Sequence, residues 1–235
     1  YQTLVGVWPL VPPDASEHQE IIDRMVGYMA KATHEAKLRT SWLSPNAEYD
    51  NAVAHFVRDV LRNEPANRFL DALREFHEKT VDWGLYTGLA QTLLKLTAPG
   101  VPDVYQGQEV WTFHLVDPDN RGPVDFERNR RMLTEMETLL ASGTDLGELA
   151  RQLGASPRDP RVKLFVTWRA LQFRRAHAAL FETGTYEPLR LEGAKVGHVC
   201  AFAWRGPDSA GDAREAAVVV VPRLLAQLTP EKEDG

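Results

Sequence analysis

Asp117, Asp119, Asn120 and Arg121 fall within one run of the chain, Leu115-Val116-Asp117-Pro118-Asp119-Asn120-Arg121. Two carboxylates, an amide and a guanidinium so close together combine acceptor oxygens with a rigid fork of donors. Such a set can hold paired hydroxyl groups bidentately. It can equally build a turn in which the arginine bridges the carboxylates, because Asp and Asn favour turns through hydrogen bonds to nearby backbone. Glu109, just after Gly107, has the same two roles open to it: accepting from a ligand hydroxyl, or holding its loop through backbone N–H groups. Trp42 lies in a polar stretch, where its flat ring can stack on an apolar ligand face or pack beneath a loop. Tyr105 reads as a core residue.

Other chemistries have little to stand on. Glu109 and Asp117 belong to one short unit, and nothing separates their environments enough to give them opposed protonation states, so no catalytic residue is assigned. The seven histidines show no HExxH or comparable spacing, and neither a metal nor a cofactor is expected. His34, in Thr33-His34-Glu35, sits in a helical pattern and is expected on a solvated face. Cys200 is the only cysteine, which excludes an intrachain disulfide and suits a reducing, cytoplasmic compartment.

The elements that must position these residues follow from periodicity. Ile22, Met25, Val26 and Met29 recur at helical spacing behind Ser16 and Gln19, which read as a capping box, and predict a helix over 17–36. Ser44 as N-cap and Pro45 at the first position open a second helix, with Tyr49, Val53, Phe56, Val57 and Val60 on one stripe before Pro65. Phe69, Leu73 and Phe76, then Leu85, Leu89, Leu93 and Leu96, predict two segments interrupted near Asp82-Trp83-Gly84. Val101-Pro102-Asp103-Val104-Tyr105 reads as a buried strand emerging into a loop. Helices are expected again over 125–140, 145–153 and 161–181. After Gly184 the pattern becomes strand-like, at 186–191, 199–204 and 216–221, and 229–235 reads as a tail. The expected fold class is mainly α with a C-terminal antiparallel β-module. Three stretches are expected: a helical region over 1–100, the strand, polar loop and following helices over 101–183, and the β-module over 184–235.

With 235 residues, 43% hydrophobic and 26% charged, the chain suffices for one large domain or two small ones. Its formal charge of −6 argues against a sequence-independent nucleic-acid binder. No stretch approaches the roughly 20 apolar residues of a membrane span. Composition leaves the oligomeric state open. The first residues, starting at Tyr1 without Met and already apolar, read as those of an excised piece.

Gly100-Val101-Pro102-Asp103-Val104-Tyr105-Gln106-Gly107-Gln108-Glu109 resembles the last barrel strand of α-amylase-type enzymes, where a GVP-(apolar)-Y-x-G-x-E pattern is common. Leu115-Val116-Asp117-Pro118-Asp119-Asn120-Arg121-Gly122-Pro123-Val124-Asp125 is similar to the LVDPDNRRPVD segment of maltooligosyltrehalose synthases, with Gly122 the main departure. Thr40-Ser41-Trp42 with Pro45-Asn46 and Tyr49, and Leu93-Leu94-Lys95-Leu96-Thr97, resemble the same family. So does the run Leu180-Phe181-Glu182-Thr183-Gly184-Thr185-Tyr186-Glu187-Pro188-Leu189, followed by Ala201-Phe202-Ala203 and Val221-Pro222-Arg223. The ordered set covers nearly the whole chain.

The resemblance implies the last strand and helix of a (β/α)₈ barrel, a helical region, and the start of a C-terminal β-domain truncated beyond about Arg223. It implies a parent isomerase that converts the reducing-end α-1,4 linkage of a maltooligosaccharide to an α,α-1,1 linkage by intramolecular transglucosylation. In that superfamily the catalytic carboxylates come from the fourth, fifth and seventh barrel strands. None of those motifs stands in this sequence, so the chain alone is expected to be inactive. Barrel active sites lie on loops at strand C-termini. There the resemblance places Asp117, Asp119, Asn120 and Arg121, with Glu109 and Trp42, as contacts to the maltooligosaccharide. A non-catalytic helical scaffold or interaction module with an accidental amylase-like loop is the second reading, and another amylase-type hydrolase the third.

Overall fold

A computed structural model describes residues 1–206 and 215–228. Helix α1 (Gln2–Val7) leads into α2 (Ala15–Ala36). Asp14 caps α2: its carboxylate accepts from the N–H groups of Ser16 and Glu17, while the Glu17 carboxylate accepts from the Asp14 N–H. The capping box expected at Ser16 and Gln19 therefore lies two residues earlier, because a carboxylate binds the orphan helix N–H groups more strongly than a hydroxyl does. Helix α3 (Ala47–Val60) is capped by Asn46, whose Oδ1 accepts from the Tyr49 N–H at 3.1 Å. Ser44, the expected cap, is instead engaged in a turn with Ser41.

Helix α4 (Arg68–Thr97) runs unbroken for 30 residues, so the interruption expected near Asp82-Trp83-Gly84 does not occur. An internal glycine costs about 1 kcal/mol relative to alanine, which the packed faces of a long helix outweigh. Residues 101–105 form no strand, and Val101 and Tyr105 are exposed rather than buried. A strand needs a neighbour to take its backbone N–H and C=O groups. The sheet among the described residues supplies none to this run.

Two compact units can be described separately. The first comprises Tyr1–Val81 and Thr112–Pro123. Its core gathers Leu4, Trp8, Ile21, Ile22, Leu61 and Leu70, and Leu115 of the returning segment inserts among them. His18 closes this core against α3 by placing Nε2 2.7 Å from the Leu61 carbonyl oxygen.

The second comprises Asp82–Trp111 and the described part of Val124–Gly235. Aspartates 125, 145 and 159 cap α5 (Phe126–Ala141), α6 (Leu146–Gly154) and α7 (Pro160–Ala176), which share a core of Met132, Met136, Leu149, Leu153 and Val162 with Val110. The single helix expected over 161–181 is two, α7 and α8 (Ala178–Thr183), because His177 leaves the helical region at φ −116°, ψ 39°. Gly184 then allows the turn into the sheet: a Cβ there would stand 2.2 Å from the Leu180 carbonyl oxygen. Strands β1 (Thr185–Pro188), β2 (Val199–Arg205) and β3 (Ala216–Pro222) form an antiparallel sheet in the order β1-β2-β3, with Thr185 opposite Arg205 and Val199 opposite Pro222. In β3, Ala217, Val219 and Val221 point inward and Val218 and Val220 outward, the period-two pattern of a half-buried strand. The tail expected over 229–235 lies outside the described residues.

Candidate functional site

One flank of α2 builds the polar region of the first unit. Arg24 and Lys31 stand seven residues apart, on the same side of the helix, beside the apolar stripe that faces the core. The Arg24 guanidinium donates through Nε to Asp119 Oδ1 at 2.7 Å and through Nη2 to Asp119 Oδ2 at 2.9 Å. The same Nη2 reaches the Phe113 carbonyl oxygen at 2.5 Å. Asp119 also accepts from the Leu115 N–H at 2.6 Å. One carboxylate therefore locks segment 113–119 onto α2 and closes the segment on itself.

Lys31 adds a second fastening by donating to the Asp117 carbonyl oxygen at 2.6 Å. Asp119, Asn120 and Arg121 form a single 3-10 turn after the cis Asp117-Pro118 bond. Arg121 pairs with the Asp117 carboxylate, and both side chains face solvent. The arginine bridge that the sequence allows is thus present, but between Arg121 and Asp117, while Asp119 takes its guanidinium from α2. Asn120 has its Oδ1 buried without a partner among the described residues. A hollow of about 170 Å³ lies under the segment, lined by Arg24, Gly27, Tyr28, Lys31, Asp117 and Asp119 among others.

Electrostatics at Asp119 follow from these contacts. Burial is the largest single influence and by itself would push the carboxyl up. The Arg24 and Leu115 hydrogen bonds, with the charges of Arg24 and His114, together outweigh it and hold the group below its ordinary value of 3.8.

Glu109 belongs to the second unit. It accepts from Asn129 of α5 at 2.8 Å, and the next two residues are held as well. Lys163 of α7 donates to the Val110 carbonyl oxygen at 3.2 Å, and the Trp111 indole N–H donates to the Pro157 carbonyl oxygen at 2.9 Å. The Lys163 ammonium lies 5.4 Å from the centre of the Trp111 ring. Burial, reinforced by the Lys95 ammonium and opposed by Glu109, lowers the Lys163 amine to about 8.

Trp42 is exposed and stacks on His34. His34 is itself buried, against the expectation of a solvated helix face, because the turn that follows α2 folds back over it. Of the six positions singled out, the first unit contains Asp117, Asp119, Asn120, Arg121 and Trp42, and the second contains Glu109. Sequence reading missed Arg24, Lys31 and Lys163, and set His34 aside as solvated. The seven-residue spacing of Arg24 and Lys31 was the one available signal, and it names no partner. Among the described residues no three His, Cys, Asp or Glu side chains could hold a metal ion, and no helix is long and apolar enough to cross a membrane.

No protein-family model matches the chain. Curated proteins from two strains of Mycobacterium tuberculosis, named as maltooligosyl trehalose synthases, are 32% identical to it over 208 residues, which is 88% of this chain and 23% of theirs. The solved structure of maltooligosyltrehalose synthase from Arthrobacter ramosus is similar at 30% identity and a TM-score of 0.67, covering 97% of this chain and 25% of that one. A second solved maltooligosyl trehalose synthase gives a TM-score of 0.68 at 25% identity, covering 95% of this chain and 32% of that one. The chain spans about a quarter of the length of the curated relatives it matches.

Proposed function

We propose, on the premise that this chain belongs to the maltooligosyl trehalose synthase family, that it supplies one wall of a site in which a maltooligosaccharide is rearranged to end in trehalose. The chemistry is an intramolecular transglucosylation: the reducing-end α-1,4 bond breaks and the same glucose is rejoined through its anomeric hydroxyl as an α,α-1,1 linkage. Retaining glycoside chemistry of this kind needs a nucleophilic and an acid–base carboxylate about 5–5.5 Å apart. The family's motifs for them are not in this sequence, so the role proposed here is positional and the chain alone is inactive. A cytoplasmic setting and a place on the rim of a (β/α)₈ barrel belong to the same proposal.

To isomerise rather than hydrolyse, such a site must retain the cleaved glucose and exclude water. The observation that carries the reading is the division of labour in segment 113–121. Asp119 is spent on Arg24 and Leu115, which makes the segment rigid, while Asp117 and Arg121 stay at its open side with hydrogen-bonding capacity for paired hydroxyls.

The test is a hybrid enzyme in which this chain replaces the matching quarter of the Arthrobacter ramosus protein. Arg121→Ala should lower kcat/KM roughly 10- to 150-fold, the loss of a hydrogen bond to a charged group, and raise the ratio of free glucose to trehalose-ended product. The isolated chain should form neither product from maltopentaose. An unchanged product ratio and rate in the Arg121 variant would show that the pair only shapes the turn.

A further inference from the structure

His34 takes no part in segment 113–121 or its hollow, yet it is only 8% exposed. Its Nδ1 lies 2.7 Å from the Ala30 carbonyl oxygen, which can only accept, so Nδ1 carries a proton and donates. Its Nε2 lies 3.4 Å from the Thr40 hydroxyl and 3.5 Å from an Asp50 carboxylate oxygen. Thr40 donates to that carboxylate and accepts from the Asn46 N–H. Contacts at both nitrogens fix the tilt of the imidazole.

On this fixed ring lies Trp42, with centroids 4.4 Å apart and planes 23° apart. The backbone on either side is held too: the Ser41 N–H donates to the Ser44 carbonyl oxygen at 3.1 Å, and the Ser44 N–H to the Ser41 hydroxyl at 3.0 Å. Trp42 nevertheless remains 63% exposed. One face of the indole is packed, and the other is offered to solvent at a set angle.

We propose that Trp42 is a preorganised platform for the apolar face of a glucose ring of an α-1,4-glucan, and that His34, Thr40 and Asp50 are positioning residues that set its angle. This rests on the glucan reading above. A rigid indole with one free face stacks on an apolar surface without a further ordering cost. Leu43, beside it, is 98% exposed. A protein surface docking here would cover Leu43 along with Trp42, whereas a stacked sugar needs the indole alone.

The experiment is a titration of the 235-residue chain with maltopentaose, followed by the indole N–H resonance that Trp42→Ala removes. A saturable shift with maltopentaose and none with sorbitol is expected. Trp42→Ala should weaken binding, read on the remaining resonances or by calorimetry, roughly three- to tenfold. His34→Ala should weaken it comparably, and His34→Phe, which restores a flat ring beneath the indole, should recover part of the loss. If His34→Ala does not fold, Asp50→Asn loosens the same ring, and weaker maltopentaose binding at an unchanged thermal midpoint supports the proposal. No saturable shift, or equal affinity with and without the Trp42 side chain, overturns it. So does a shift that follows protein concentration and vanishes in Leu43→Ser, which would mark a surface for a second copy. Product ratios of the hybrid enzyme test the glucan reading separately. Retained trehalose formation with affinity unchanged in Trp42→Ala would remove the platform alone.

Discussion

Against α2, Asp119 of the 3-10 turn gives up its exposure to the Arg24 guanidinium, which binds it at two oxygens, and to a backbone N–H; on α7, Lys163 gives up its exposure to one carbonyl oxygen and the face of an indole. The two side chains serve similar ends, since Asp119 fastens the stretch that begins at Phe113 and Lys163 fastens Val110. Their electrostatic outcomes differ because one charge meets its opposite and the other does not. Asp119 is held in its charged form, whereas burial drives Lys163 toward its neutral form. A charged side chain can therefore fix a loop in either way, but only the paired arrangement is indifferent to pH near neutrality.

Breaking the Asp119 clamp should have the largest effect. Asp119→Ala removes the partner of a guanidinium and leaves the Leu115 N–H unsatisfied, at a cost of about 1.5–3 kcal/mol, and lowers the thermal midpoint of the first unit accordingly. Arg24→Ala should cost a similar amount, and the double variant clearly less than the sum, because the two residues share one interaction. Additive losses in that cycle would mean that the residues act independently and that the clamp does not exist.

The acid limb sharpens the same point. The Asp119 carboxyl is lowered on folding, so its contribution is complete above about 3.8 and is lost as pH falls through the folded value. Asp119→Asn should flatten that part of the stability profile. An acid limb identical to that of the unsubstituted chain would assign the acid sensitivity to other carboxylates.

Lys163 should behave in the opposite sense and more weakly. Below about 8 the amine is charged in both states, and the folded state carries the cost of burying it. Between about 8 and 10.5 the folded amine is neutral while the unfolded one still holds a proton, so stability rises with pH. Lys163→Met should remove that rise, which is on the order of 1–2 kcal/mol after allowance for water access. A rise of the same size in the methionine variant would show that Lys163 does not titrate in this window. The smallest effect belongs to Arg121→Ala, whose partner Asp117 faces solvent with it: a stability change within about 0.5 kcal/mol. A larger drop would mean that this pair, and not Asp119 alone, holds the segment.

Much of the architecture is local and was legible in residue order. Asp125 and Asp145 announce the helices they cap, and the apolar stripes of α2 and α3 follow a period of 3.6 because burial on one face demands it. The alternation in β3 marks a half-buried strand for the same reason. Boundaries were less legible, since Asp14 competes with Ser16 and Asn46 with Ser44 for the same orphan N–H groups. The family likeness rests on segments that can be read one after another, and needs no knowledge of what touches what.

What each polar side chain does was decided only by the tertiary structure. Asp119 and Arg24 are 95 residues apart, so no spacing rule could mark Asp119 as a fastening of its own loop while Arg121 stays in solvent. His34 reads as a solvated helical residue until the turn carrying Trp42 folds over it. Residues 101–105 have the apolar, β-prone character of a strand, yet a strand exists only where another chain segment accepts its hydrogen bonds. Sequence specifies propensities and residue types, whereas the fate of a charge or a backbone amide depends on which distant group arrives beside it. Only packing supplies that group.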